Sequence, residues 1–291
     1  MKKILIVSAL GALICGGFLF RYEIQEAYQK GAAWFASSDD PSIAQIKQDF
    51  ERISMPAPLR NDSDAEGGTL TRAGVIAETN RHRTAGSVSA VKENQTLDKA
   101  AEIKLNDMFE RQYFAHESPI GEGPAEVAAK AGYAYVVIGE NLALGNFSGD
   151  VELVQGWMDS PGHRENIMNV GYLEIGVAVG RGMYEGKLTW LAVQEFGTPA
   201  SACSAPDTGL EAAIRDKKSA ISALEPKIEA KKREIDSYEP KRGEGYNAAV
   251  REYNALISRY NASVAETKGL VSQFNLQVEG YNACLKRYSH D

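Results

Sequence analysis

The chain has 291 residues, of which 32 are basic and 39 acidic, for a net charge of -7 at pH 7. This length suffices for one sizeable core and accessory elements, because domains commonly run to about 100–200 residues. The acidic balance offers no phosphate-binding face, so nucleic acid is not an expected partner.

The first element is an uncharged segment from Ile4 to Phe20, preceded by Lys2 and Lys3 and followed by Arg21. It is longer than the roughly 7 to 15 apolar residues of a cleaved signal peptide and just long enough to cross a bilayer. We therefore expect an uncleaved membrane anchor within residues 1–21, with the rest of the chain outside the cytoplasm, in the periplasm or on the outer face. Cleavage, and hence secretion, is the alternative.

Residues 22–71 are predicted to be a linker with short helices. Their composition is polar and interrupted by proline, as in the run Met55-Pro56-Ala57-Pro58, and one short helical pattern occupies residues 43–50. Such punctuation is typical of loops.

Residues 72–200 mix the two periodicities of a globular domain. Helical spacing occupies residues 75–82, 97–113 and 150–158, and runs rich in Val, Ile and aromatic residues predict strands at 133–144, 174–180 and 188–196. The interleaving predicts an α+β fold with helices packed on a small antiparallel sheet.

The tail, residues 204–291, carries a heptad pattern. Aromatic residues recur every seven positions from Tyr246 to Tyr288, interrupted at Thr267, and a parallel series of aliphatic residues, offset by four positions, runs from Val250 to Leu285. An earlier apolar series runs from Ile214 to Tyr238, with a kink expected at Pro226. The residues 239–243 supply a turn, so we predict an antiparallel coiled-coil helical hairpin.

The cysteines are Cys15, Cys203 and Cys284. Cys15 lies in the apolar segment, where the preceding Ile14 argues against lipidation. Two widely spaced thiols outside the cytoplasm favour a disulfide over a metal site. Helices rising 1.5 Å per residue bring Cys203 and Cys284 to the same level of the hairpin, so we predict that they are bonded.

Three residues stand in unusual surroundings and are candidates for chemistry. His116 follows a predicted helix, His163 lies on a Pro-Gly turn, and Glu140 interrupts an apolar strand. A buried glutamate needs a partner, but the wide spacing of these residues matches no short metal motif.

A series of motifs gives these residues a context. They include Asn80-x-x-Arg83, Tyr113-Phe114-x-His116, Gly139-Glu140-Asn141, Ser160-Pro161-Gly162-His163-Arg164 and Gln194-x-Phe196-Gly197. Together these motifs closely resemble the bacterial branch of the CAP superfamily, also called the SCP domain, which includes cysteine-rich secretory, antigen 5 and pathogenesis-related proteins. The resemblance covers about residues 72–198.

The resemblance implies a CAP-type α-β-α sandwich, an extracytoplasmic location and a cavity lined by two histidines and two acidic residues. His116, His163 and Glu140 match three of these positions. Ser160 stands where the fourth is often found, so Glu174 and Glu195 are the substitutes to check. Asn141 and Asn166 are expected to flank the cavity.

The residues leave three kinds of chemistry open. His116, His163 and Glu140 can hold a divalent metal such as zinc with an open position for water, form a metal-free network, or satisfy one another structurally. Our first hypothesis is a non-enzymatic, anchored protein that binds a lipid, peptide or cell-wall component, with residues 208–288 making protein contacts or self-associating. The alternative is a metal-assisted hydrolase, such as a peptidase, using the same three residues.

Overall fold

The computed structural model describes Lys30, residues 52–61 and residues 67–288. The predicted anchor and the helical pattern at residues 43–50 lie outside these ranges. Among the residues described, no helix is long and apolar enough to cross a membrane.

The described residues divide into two compact units. One holds residues 52–61, 67–204 and 281–288, and the other holds Lys30 and residues 205–280. The candidate residues for chemistry all belong to the first unit.

The first unit is built on a six-stranded mixed sheet with the order β1-β4-β6-β5-β3, in which β2 also pairs with β4. The strands β4, β6 and β5 are long and antiparallel, as predicted, whereas the short strands at both edges run parallel to their neighbours. The strands are β1 (Arg52–Ser54), β2 (Leu59–Asn61), β3 (Lys92–Glu93), β4 (Tyr135–Gly145), β5 (Glu174–Tyr184) and β6 (Lys187–Pro199).

The strands β5 and β6 form a tight hairpin. Its two turn residues, Glu185 and Gly186, both have positive φ, which matches the right-handed twist of the flanking strands. The turn fixes the register, so that Tyr184 lies opposite Lys187 and Gly176 opposite Glu195.

Helices cover both faces of this sheet. In chain order they are α1 (Arg72–Ala85), α2 (Gln95–Arg111), α3 (Pro124–Ala131), α4 (Asp150–Asp159) and α5 (Pro161–Met168). Side chains alternate along a strand. Leu142 and Leu144 of β4 therefore pack with Leu105 and Met108 of α2, while Asn141 reaches α5 on the other face. The predicted α-β-α sandwich is present.

Residues 52–61 lie inside the segment predicted as a linker, yet they form β1 and β2 along the outer edge of β4. The pairing is interrupted: β1 ends opposite Gly139 and β2 begins opposite Ala143. Between them, Met55–Pro58 bow away from the sheet, and two of these four residues are prolines without an N–H to donate. Opposite the bow, side chains take over: Asn166 donates to the Glu140 carbonyl and Trp157 to the Leu142 carbonyl.

The second unit contains the predicted helical hairpin. Its helices are α6 (Thr208–Ser222), α7 (Glu225–Ser237) and most of α8 (Glu244–Tyr288). The break between α6 and α7 falls beside Pro226, where the sequence predicts a kink. The heptad residues form a buried seam that contains Ile221, Leu224, Ile228, Ile257, Tyr260 and Val264. The contacts Lys217–Glu266, Glu225–Tyr260 and Lys231–Glu252 follow the order expected of antiparallel helices.

The predicted disulfide is present. Cys203 and Cys284 are bonded with a Cα–Cα distance of 5.7 Å, and both lie in the first unit. The bond closes a loop with a sequence separation of 81 residues, which contains the whole hairpin.

Replacing both cysteines by serine should lower the free energy of unfolding by about 2–4 kcal/mol, because the unfolded chain regains the entropy of that long loop. Urea unfolding of the wild type and the double variant measures the difference. Equal stabilities, or two thiols that react with alkylating reagent in the non-reduced folded protein, would contradict the assignment.

Candidate functional site

His116 lies at the outer edge of β4, facing the bow of residues 55–58. The helix α2 ends when Gln112 takes a left-handed conformation, and the loop that follows carries His116 back to the sheet. Its Nδ1 is 2.5 Å from Oε1 of Glu140, and its Nε2 is 2.5 Å from the carbonyl oxygen of Pro56. A carbonyl only accepts, so Nε2 donates. One further proton is shared between Nδ1 and the Glu140 carboxyl group.

Glu140 has a second acidic neighbour, Glu195, directly opposite it on β6. Both side chains are fully buried. Burial and the adjacent Glu140 carboxylate raise the pKa of Glu195 well above its usual range, while Lys104 acts in the opposite direction. Two carboxyl groups this close do not both ionise, so Glu195 keeps its proton. The two carboxyl groups share a side-chain hydrogen bond, and neither Oε2 of Glu140 nor the Glu195 carboxyl group has a partner outside this pair.

Lys104 of α2 supplies the positive charge beneath this pair. It is 1% exposed and donates to the carbonyl of His116 at 2.5 Å and to the Tyr113 hydroxyl at 3.2 Å. Burial holds the pKa of Lys104 below its usual value, although the negative charges of Glu140, Glu195 and Asp107 act in the opposite direction. Lys104 thus both compensates the acidic pair and fixes the loop that positions His116.

His163 approaches the site from the first turn of α5. Its Nδ1 is 2.8 Å from Oγ of Ser160, whereas its Nε2 is buried and makes no hydrogen bond of normal geometry. Burial, assisted by the nearby His116 and opposed by the Leu142 backbone, lowers the pKa of His163 from 6.5 to about 4. His163 is therefore a neutral imidazole at neutral pH.

A network of side-chain amides lies on the face of the sheet that α5 covers. Its members are Asn141, Asn166 and Gln194. Asn141 donates to Gln194 at 2.9 Å and to the His163 carbonyl at 3.3 Å, and it accepts from Asn166 at 3.0 Å. Gln194 in turn donates to Thr79 of α1. These bonds hold α5, and with it His163, against the sheet.

The structure brings together seven of the eight residues singled out in the sequence. Of the two substitutes for the fourth acidic position, Glu195 lies beside Glu140, whereas Glu174 accepts hydrogen bonds from Asn94 and Tyr133 away from the histidines. The seven residues that gather at the site are His116, Glu140, His163, Asn141, Ser160, Asn166 and Glu195.

Sequence reasoning missed Lys104 and Pro56. Lys104 stands in an ordinary helical pattern beside Glu102 and Ile103, where a lysine is normally solvated, and no local signal marks it as buried. Pro56 contributes only its backbone carbonyl. Every residue has one, so the residue type at position 56 gives no signal of this contact.

The donors do not fit a metal ion in this arrangement. Both ring nitrogens of His116 are engaged, and Ser160 occupies Nδ1 of His163. Within the residues described, no three His, Cys, Asp or Glu side chains converge as a metal site requires. The metal site therefore remains a prediction from the resemblance.

Comparison with known proteins identifies the class. Residues 76–196 match the model of the cysteine-rich secretory protein family, CAP. The first unit thus contains a CAP domain of the bacterial type.

Two curated relatives come from Bacillus subtilis. The uncharacterized protein YkwD is 37% identical over 103 residues, which make up 35% of this chain and 40% of YkwD. The uncharacterized membrane protein YlbC is 28% identical over 116 residues, or 40% of this chain and 33% of YlbC. This chain therefore spans well under half the length of either relative.

Two solved structures are also similar. An extracellular protein containing a SCP domain from Bacillus anthracis has 26% identity, with 44% of this chain and 40% of that chain covered and a TM-score of 0.38. An outer surface protein from Borrelia burgdorferi has 22% identity, with 43% of this chain and 90% of that chain covered and a TM-score of 0.38.

The titrations of His163 and Glu195 should affect stability in opposite directions. Between pH 6.5 and 4 the unfolded chain binds a proton at His163 that the folded chain excludes, so this term weakens the fold as pH falls, by roughly 1–3 kcal/mol in total. The folded chain instead retains a proton on Glu195 that the unfolded chain releases, so this second term weakens the fold as pH rises.

Urea unfolding of the wild type, His163→Gln and Glu195→Gln at pH 4.5, 5.5 and 6.5 measures both terms. Relative to the wild type, His163→Gln should gain stability as pH falls, and Glu195→Gln should gain stability as pH rises. Parallel stability curves for all three proteins would contradict the assigned protonation states.

Proposed function

We propose that this protein is an extracytoplasmic, membrane-anchored CAP-domain protein that binds a lipid, peptide or cell-wall ligand through the site around His116, Glu140 and His163. One observation carries the proposal. His163 is 1% exposed, yet its Nε2 has no hydrogen-bond partner of normal geometry, and the fully buried carboxyl group of Glu195 has no partner apart from Glu140. Unpaired buried polar atoms are costly, and they are retained where a ligand or ordered water completes them.

Binding is favoured over hydrolysis by the state of the two histidines. His116 has no nitrogen available to take a proton from water, because Glu140 and Pro56 engage both. His163 contacts Ser160, a potential nucleophile, but no carboxylate holds its other nitrogen, and a pKa of about 4 makes it a weak base.

The location outside the cytoplasm is supported by two features. The Cys203–Cys284 disulfide is of the kind that persists in oxidising compartments. The uncharged segment from Ile4 to Phe20 would deliver the chain there and remain as its anchor.

The helical hairpin is proposed to act as a coiled coil that makes protein contacts. A shallow groove of about 460 Å³ on α8 is lined by Val271, Leu276 and polar neighbours. Leu276, which is 67% exposed, is the apolar side chain of this groove that a partner protein would cover.

Calorimetric titration of the full chain, held in nanodiscs rather than detergent so that added vesicles stay intact, tests the binding function. The probes are phosphatidylglycerol vesicles, soluble peptidoglycan fragments and a mixture of decapeptides. At least one probe should bind to the wild type and bind at least about tenfold more weakly to Glu140→Gln, since a loss of 1.4 kcal/mol is tenfold in affinity. The bound probe should be recovered chemically intact by mass spectrometry.

Glu174→Gln is the matched control, because it neutralises a hydrogen-bonded carboxyl group of the same sheet that lies away from the histidines. It should bind like the wild type. Cleavage of a probe that is lost in both Glu140→Gln and His163→Gln would instead establish the hydrolase. A zinc ion retained in stoichiometric amount, with a lower Tm in chelator, would support its metal-assisted form.

A further inference from the structure

The site is covered by a piece of the chain that lies outside the matched family domain. The segment Arg52–Asn61, here called the strap, ends 14 residues before the family match begins at residue 76. It lies parallel to β4, with β1 on one side of the site and β2 on the other. The bow between them places the Pro56 carbonyl on His116.

The strap is held as an edge strand holds an extended peptide. Several of its contacts use backbone atoms: the two short ladders, the Pro56 carbonyl, and the Ser54 carbonyl, which accepts from Asn166 at 3.4 Å. Backbone pairing of this kind supplies affinity, and pockets for selected side chains supply specificity.

One pocket holds the side chain of Pro56. Gly162, in the first turn of α5, faces Pro56, and a Cβ added there would come within 2.8 Å of the Pro56 Cβ. Any larger residue at 162 would therefore push the ring away. The side chains of Ile53 and Met55, by contrast, are 37% and 48% exposed.

The strap leaves the site incompletely satisfied. Nε2 of the buried His163 has no hydrogen-bond partner of normal geometry, and the Glu195 carboxyl group has none apart from Glu140. Buried polar groups normally have a hydrogen-bond partner, so a ligand that reaches further into the site than the strap could supply one here. The strap therefore pairs with the edge of β4 and accepts a hydrogen bond from His116, but it makes no hydrogen bond to Nε2 of His163 or to the Glu195 carboxyl group.

We propose that the outer edge of β4, from Val137 to Gly145, together with His116 and Gly162, is a binding groove for an extended, proline-containing peptide. The strap fills this groove intramolecularly. The peptide lies parallel to β4, presents a backbone carbonyl to Nε2 of His116, and places a proline ring against Gly162. This inference rests on the proposed function and names the class of its ligand.

The connection between the strap and α1 determines how well a free peptide can compete for the groove. Residues 62–71 connect the strap to α1, and a short connection holds an intramolecular ligand at an effective concentration of the order of millimolar. A free peptide therefore competes poorly against the wild-type strap. It should bind readily once the strap's own side-chain contacts are removed.

The test uses the full chain and a fluorescent peptide with the wild-type sequence of residues 52–61. The chain variant is Leu59→Ala/Asn61→Ala: Leu59 packs near Gly156, and the Asn61 side chain donates to the Asn146 carbonyl at 2.9 Å. Fluorescence anisotropy should show the peptide binding at least about tenfold more tightly to this variant than to the wild type, because the weakened strap competes less.

Two controls isolate the groove. Met55→Ala changes an exposed strap residue and should leave peptide binding at the wild-type level. Adding Gly162→Val to the double variant should abolish binding, because the new side chain occupies the proline pocket, while circular dichroism and Tm confirm folding. A peptide of reversed sequence should not bind.

Failure of the peptide to bind the folded double variant, or equal binding to all chains, would overturn the inference. The proposed function would survive if vesicles or peptidoglycan fragments still bound in a Glu140-dependent way. Loss of both kinds of binding would overturn both proposals.

Discussion

Two carboxyl groups lie side by side within the sheet of the CAP domain, Glu140 on β4 and Glu195 on β6, and neither is exposed to solvent. Burying an acidic pair is affordable only if one group stays protonated and the other finds positive or hydrogen-bonding partners. Lys104 and His116 are those partners. Lys104 also donates to the His116 carbonyl, and His116 in turn bonds to Glu140. These charged groups therefore connect helix α2 and the loop after it to the centre of the sheet.

This constraint extends to the outer edge of the sheet. With Nδ1 of His116 committed to Glu140, its Nε2 points at the edge of β4 and requires an acceptor, which Pro56 provides. The strap can bow at that point because its prolines have no N–H to lose, and because Asn166 and Trp157 satisfy the β4 carbonyls in its place. The buried acidic pair and the cover over the site are therefore parts of one arrangement.

Much of this architecture could be predicted because its signals are local. The heptad spacing predicted the hairpin, helix lengths brought Cys203 and Cys284 together, and motif residues identified His116, Glu140 and His163. The remainder depends on pairings between distant segments. Nothing near Lys104 shows that it will lie under two carboxyl groups, Glu174 and Glu195 are alike until the strand register separates them, and the proline-rich residues 55–58 have the composition of a linker although they flank paired strands.

The most direct test of this account is the protonation of His116, which the acidic pair and the strap together dictate. Imidazole nitrogen–proton correlation spectra of the ¹⁵N-labelled full chain at neutral pH report it. The account predicts a proton on Nε2 of His116 that exchanges slowly with water, because it is donated to the Pro56 carbonyl, and a neutral ring for His163. An unprotonated Nε2 on His116, or a proton there that exchanges as fast as in the unfolded chain, would contradict it.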